Sequence, residues 1–260
     1  MAFTKHAAAL KTGDIAYHAG GSGRPLLYLH SAYGIRFSPA LDQLATSFRL
    51  YLPVMPGFDG TARHDQLRTM ADLGDLAAGF IDTVIKEPCD VVGHSFGGWI
   101  AAWLAARHPD KVHQLVLAAP AGFRPEGVGG LGGNPETLRR RMTAHPERLP
   151  AETKDAAMLA QNRAMPRHYH NDTPTDRDLV PLLGNIQAET LVLLGTKDGI
   201  IPPESARLLY EKIPHAHLVY LFDAAHALDT DQPERYVQLL GDFLARGEAF
   251  VVNWRSRAAV

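Results

Sequence analysis

Short apolar runs alternate with stretches of helical spacing along most of this chain. Pro25 to Leu29, Arg49 to Leu52, Asp90 to Val92, Val112 to Ala118, Thr190 to Gly195 and Leu218 to Phe222 read as strands: each is brief, apolar and bounded by turn residues. Phe37 to Ala45, residues 70–86 and Gly97 to Arg107 read as helices. Over 70–86 the apolar positions Leu73, Leu76, Ala77, Phe80, Ile81 and Val84 recur at three and four. Residues 4–19 predict a hairpin turning at Thr12-Gly13-Asp14. Apolar strands separated by helices predict an α/β fold with a mostly parallel sheet covered on both faces. Right-handed crossovers then bring the loops after the strands to one edge, where open α/β sheets bind ligands.

Residues 121–185 break this rhythm. They open with the glycine-rich run Gly127 to Gly133 and continue with helical stretches near Pro135–Thr143 and Glu152–Ala164. His168-Tyr169-His170 and a polar run to Asp178 follow. Between two sheet strands, such a segment predicts a helical cap with a glycine hinge over a core made of 1–120 and 186–260. No internal repeat or low-complexity tract interrupts it.

Composition narrows the field. With 260 residues, 46 % of them apolar, the chain suits one large core plus an insertion. A net charge of −2 without blocks of like charge gives no support for nucleic acid or a membrane surface as partner. No apolar run is long enough to cross a bilayer, and the start, Met1 to His6, does not read as a signal peptide. The single Cys89 excludes an internal disulfide, suits a cytoplasmic setting, and at the mouth of an apolar strand reads as a small core residue rather than a nucleophile.

The chemistry is concentrated in Val91-Val92-Gly93-His94-Ser95-Phe96-Gly97-Gly98. This G-x-S-x-G sits behind a strand and opens a helix, the setting of a nucleophile elbow, whose sharp turn lifts a serine above the sheet. Glycines two residues either side admit the close packing that such a turn needs. A serine hydroxyl needs a base, and the base needs an orienting carboxylate, in the chain order serine, acid, histidine. Asp198, past the strand ending at Gly195, and His226, past the strand ending at Phe222, supply that order. Asp223 is the rival acid, and Asp198 could instead cap a helix beginning near Pro203. The N–H of Phe96, next to the serine, is placed to receive an oxyanion.

With these pieces in order, the chain resembles the α/β-hydrolase family. The resemblance rests on Leu29-His30-Ser31-Ala32-Tyr33-Gly34, the elbow, Gly195 to Pro202, Ala225-His226 and Asp231-Gln232-Pro233-Glu234, and covers all but residues 121–185. It implies an eight-stranded type of sheet, catalytic Ser95, Asp198 and His226, and an oxyanion hole from Phe96 and Ala32, with Ser31 or Tyr33 as alternatives to Ala32. Ser31 stands where the family often has glycine. His30 is expected to brace the oxyanion loop and His94 to pack beside the nucleophile. Tyr33 and the pliable Met142, Met158 and Met165 are candidate pocket residues, Trp99 and Trp103 candidate core.

Serine at the elbow argues against the dehalogenase and epoxide hydrolase branches, which place aspartate there. It implies hydrolysis of small to medium carboxylic esters or lactones without a cofactor. Carbon–carbon hydrolases of ring-cleavage products, which usually have Gly-Asn-Ser at the elbow, and perhydrolases are alternatives on the same triad. A small-molecule receptor with slow turnover is the alternative of another class. The pairs His168/His170 and His215/His217 read as surface histidines, since zinc needs further ligands. The tail Phe250-Val251-Val252-Asn253-Trp254 is a candidate contact in a homodimer; a monomer is the other expectation.

Overall fold

The computed structural model describes residues 3–128, 135–170 and 173–251. Eight strands form one sheet in the order β1-β2-β4-β3-β5-β6-β7-β8. They are β1 (Thr4–Leu10), β2 (Gly13–Gly20), β3 (Arg24–Leu29), β4 (Phe48–Pro53), β5 (Cys89–His94), β6 (Val112–Ala118), β7 (Glu189–Gly195) and β8 (Ala216–Leu221). Strands β3 to β8 pair in parallel, and β2 runs against both of its neighbours. The expected hairpin is present, with Leu10 opposite Gly13 and Gly13 at φ +124°. Nearly every residue of β5, β6 and β7 is buried. Successive strand side chains point to opposite faces, so both faces are covered there.

The helices are α1 (Pro39–Leu44), α2 (Met70–Phe80), α3 (Phe96–Arg107), α4 (Pro135–Met142), α5 (Ala156–Ala164), α6 (Pro166–Tyr169), α7 (Pro203–Lys212), α8 (Leu228–Asp231) and α9 (Pro233–Arg246). Helix α3 is apolar around most of its circumference, and Phe96 to Ala106 are all buried, as a helix without a polar face must be. It lies against β3, β5 and β6 and close to α2. A Cβ on Gly74 of α2 would stand 2.8 Å from Cβ of Trp103. Helix α9 instead buries one stripe, Tyr236, Leu240, Phe243 and Leu244.

Local chemistry shifts several expected boundaries. Helix α1 starts two residues after Phe37 because Ser38 caps it, its side chain accepting from the Leu41 N–H. Helix α5 does not begin at Glu152 but at Ala156, where Asp155 accepts from the Met158 N–H at 2.8 Å. The helical pattern over 70–86 loosens to a π turn at Ile81–Ile85 and stops at Lys86, whose φ is +68°. Cys89 is buried with its thiol pushed up to about 12, chiefly by burial, so it is no nucleophile. Of the expected hinge, Gly127 has φ +79°, while 129–134 lie outside the described residues. Of the tail, Phe250 stacks edge-on against His217 at 5.1 Å and Phe243 at 5.2 Å; residues from 252 onward lie outside the described residues. Among the described residues no helix is long and apolar enough to cross a membrane.

Candidate active site

The elbow is built by close packing. Ser95 joins β5 to α3 at φ +55° and ψ −111°, a conformation that side chains rarely adopt. Its N–H donates to the Ala118 carbonyl at 2.9 Å, tying the turn to β6. A Cβ on Gly93 would meet the Gly97 carbonyl at 2.4 Å, and one on Gly97 would meet the Leu29 carbonyl at 2.0 Å. Glycine therefore lets α3 start hard against the end of β3. That contact brings the loop after β3 beside the serine.

The three side chains expected to work together form one hydrogen-bonded line. Ser95 Oγ and His226 Nε2 are 2.9 Å apart, and His226 Nδ1 and Asp198 Oδ2 are 3.0 Å apart. With Nδ1–H donating to the carboxylate, Nε2 is left to accept the serine proton. The other Asp198 oxygen accepts from the N–H groups of Ile200 and Ile201 at 2.8 and 2.9 Å, so both oxygens are held. The rival Asp223 is engaged elsewhere, by Lys197 and by His145 Nε2 at 2.9 Å. Those two partners hold its carboxyl below the usual carboxylate range. Ser95 is 8 % exposed and His226 2 %, so both residues are largely shielded from solvent.

The loop carrying His226 is fastened from several sides. Lys197 N–H donates to the Ala224 carbonyl at 2.8 Å, and Ala227 N–H to the Met142 carbonyl at 2.8 Å. His94 Nε2 bonds the His226 carbonyl at 2.9 Å, and the two rings lie 5.1 Å apart. Burial first, then the charge of His226, lowers His94 to about 4, which keeps it neutral at ordinary pH. Asp231, fully buried, accepts from Ala225 N–H at 2.7 Å on one side. On the other it accepts from Thr143 Oγ1 at 2.5 Å and from the N–H groups of Ala144 and His145, both at 3.0 Å. One carboxylate thus joins the insertion to the histidine loop.

The loop after β3 is equally ordered. His30 Nδ1–H donates to the Ser31 carbonyl at 2.8 Å, and its Nε2 accepts from Met55 N–H at 3.0 Å. Burial lowers its pKa, in keeping with a neutral ring in this role. Ser31 Oγ takes the Tyr33 N–H at 3.3 Å, and the Ser31 carbonyl takes the Gly34 N–H at 2.9 Å. Phe96 is the first residue of α3, whose opening N–H groups have no partner within the helix.

The other expected positions have these surroundings. Tyr33 sits in a charged cluster. Its ring carries Arg36 at 3.8 Å and Lys154 at 4.3 Å from the centroid, and its hydroxyl bonds Glu152. Met165 is buried against Gly57, Met158 reaches Gly60, and Met142 meets the histidine loop through its carbonyl. The aromatic neighbours of Phe96 are Phe58 at 5.4 Å and Tyr169 at 6.3 Å, which sequence reading missed. Trp99 and Trp103 are buried, yet both indole N–H groups donate to Asp176 Oδ2, at 2.6 and 2.8 Å. That shared acceptor, 73 residues away from the nearer indole, has no sequence signal. His170 is no loose surface histidine, since its ring lies 4.9 Å from Trp99. Among the described residues no group of side chains could hold a metal ion.

The chain is similar to several known proteins. A 2-hydroxymuconate semialdehyde hydrolase of Pseudomonas sp. (strain CF600) is 31 % identical over 91 % of this chain and 92 % of its own length. A pimeloyl-[acyl-carrier protein] methyl ester esterase of Neisseria meningitidis is 28 % identical over 84 % of this chain and 76 % of its own. A meta-cleavage product hydrolase from Pseudomonas fluorescens IP01 shares the fold, with a TM-score of 0.77, 23 % identity, and coverage of 92 % of this chain and 97 % of its own. These relatives support a serine hydrolase. The model of the alpha/beta hydrolase family matches residues 18–239, and the chain belongs to that family.

Proposed function

We propose that this protein hydrolyses small to medium carboxylic esters or lactones through an acyl-enzyme on Ser95. The observation that carries the reading is the unbroken line from Ser95 Oγ through the His226 ring to Asp198. His226 takes the serine proton as Oγ bonds the carbonyl carbon, then gives it to the departing alcohol. Asp198 holds the tautomer and stabilises the imidazolium. The N–H groups of Phe96 and Ala32 receive the oxyanion, aided by the positive end of α3. Water then repeats the sequence on the acyl group. The insertion 121–185 serves as the cap that keeps the hydroxyl dry.

A second reading, carbon–carbon cleavage of a ring-cleavage product on the same triad, gains support from the 31 % identity to the semialdehyde hydrolase. His94 weighs against it, because the elbow of that branch usually resembles Gly-Asn-Ser. A series of p-nitrophenyl esters of rising chain length, run beside lactones and 2-hydroxymuconate semialdehyde, separates the two. Faster turnover of esters or lactones is expected; preference for the semialdehyde reverses the ranking. Ser95→Ala should remove about 10⁴-fold or more of either activity while the fold persists, and near-parent rates would reject the triad.

A further inference from the structure

Ala32 N–H belongs to the same peptide plane as the Ser31 carbonyl, and a trans peptide points the two in opposite directions. Whatever fixes that carbonyl aims the N–H. Two donors fix it, His30 Nδ1–H and Gly34 N–H. His30 is anchored within the core; Gly34 is not. It lies in a stretch gripped by three polar side chains that the triad does not use.

Asn162 of α5 is fully buried. Its Nδ2 donates to the Tyr33 carbonyl and to Asp59 Oδ1, both at 2.7 Å, and its Oδ1 accepts from Asp59 N–H at 2.9 Å. Asp59, in the loop after β4, is held at φ +48° and takes the Ile35 N–H on Oδ2 at 2.9 Å. The Lys154 side chain, 9 % exposed, reaches Asp59 Oδ1 at 3.2 Å, the Tyr33 carbonyl at 3.4 Å and the Ile35 carbonyl. There is no slack at the centre: a Cβ on Gly34 would lie 2.2 Å from Asp59 Oδ1 and 2.6 Å from Asn162 Nδ2. Burying an ammonium group is costly unless its partners are good. A mere tether between insertion and core could be apolar, whereas these three groups together address the backbone polar atoms of residues 33 and 35.

We infer that Lys154, Asn162 and Asp59 are positioning residues that set the Ala32 N–H, so that the insertion is a working part of the oxyanion hole and not only a cover. The inference rests on the reading above in which Ala32 is an oxyanion donor. Removing Lys154 or Asn162 leaves the Ser95–His226–Asp198 line in place and lets residues 33–35 drift, and with them the aim of that donor.

Lys154→Met and Asn162→Ala test this, with Arg177→Met as a control that removes another cation of the insertion, paired on the surface with Glu126. Each is compared with the parent for p-nitrophenyl butyrate hydrolysis and for binding of an alkyl trifluoromethyl ketone, whose serine adduct needs the oxyanion hole. Protein with parent-like near-ultraviolet circular dichroism is used; if Lys154→Met fails to fold, Lys154→Gln takes its place. The expected result is a fall of about tenfold or more in kcat with KM within twofold, and ketone affinity weakened in parallel. Arg177→Met should match the parent. Both clamp variants remaining within twofold, or Arg177→Met falling as far, overturns the inference. Ser95→Ala in the same assay keeps the two readings apart: if it retains activity the triad itself is wrong, and if it is inactive while the clamp variants are normal, only the clamp falls.

Discussion

The nucleophile elbow follows β5 and the histidine loop follows β8, with β6 and β7 between them in the sheet, yet the two are held by different means. The elbow is fixed by steric exclusion within six consecutive residues, Gly93 to Gly98, pressed on the neighbouring strand ends. The histidine loop is fixed by hydrogen bonds from Lys197, His94 and Met142, all remote along the chain, and from Asp231, six residues beyond Ala225. One relies on the absence of atoms and the other on polar groups that must be present. The first therefore writes a motif and the second does not.

Gly97→Ala is the harshest test of that contrast. Its new Cβ would fall 2.0 Å from the Leu29 carbonyl, inside backbone that cannot yield cheaply. The expected outcome is a loss of roughly 3 kcal/mol or more of stability and of nearly all hydrolysis. A denaturant titration matching the parent would show that the elbow is not held by exclusion.

Asp231→Asn should do less to stability and more selectively harm the base. It keeps one acceptor oxygen but cannot serve all four donors now shared by Asp231. A fall of about 1–3 kcal/mol is expected from the unpaired donors, with kcat falling and KM nearly constant as His226 loosens. An unchanged kcat would mean that the loop is held by its other bonds alone.

A further expected effect is a pH dependence of stability, confined to the acid range. His94 is lowered to about 4 in the folded protein, against 6.5 for a free imidazole. The unfolded chain binds more protons between these values, so stability should rise as pH rises from about 4 to 6.5 and level off above. His94→Gln should flatten that part of a melting-temperature profile. An identical slope in the variant would assign the dependence to other groups.

The sheet was legible because its central strands β5, β6 and β7 are short, mostly apolar and buried on both faces. The elbow was legible because its constraints are contiguous. Asp198 and His226 were legible because their strands end just before them, though choosing Asp198 over Asp223 needed geometry: Asp223 turns to Lys197 and His145 instead. Residues 121–185 were far less readable. Asn162, Lys154 and Asp176 are ordinary polar residues in sequence, and their work depends on partners 73 to 129 positions away.

By itself, then, the sequence determined the alternation that makes the sheet, the strained turn that bears Ser95 and the order of the groups that follow it. Each of these is imposed by neighbours along the chain, through backbone sterics and apolar periodicity. The tertiary structure alone decided which carboxylate meets His226 and how the segment between β6 and β7 bonds the loops after β3 and β8. Those outcomes come from hydrogen bonds between remote segments, whose geometry exists only once the chain has folded.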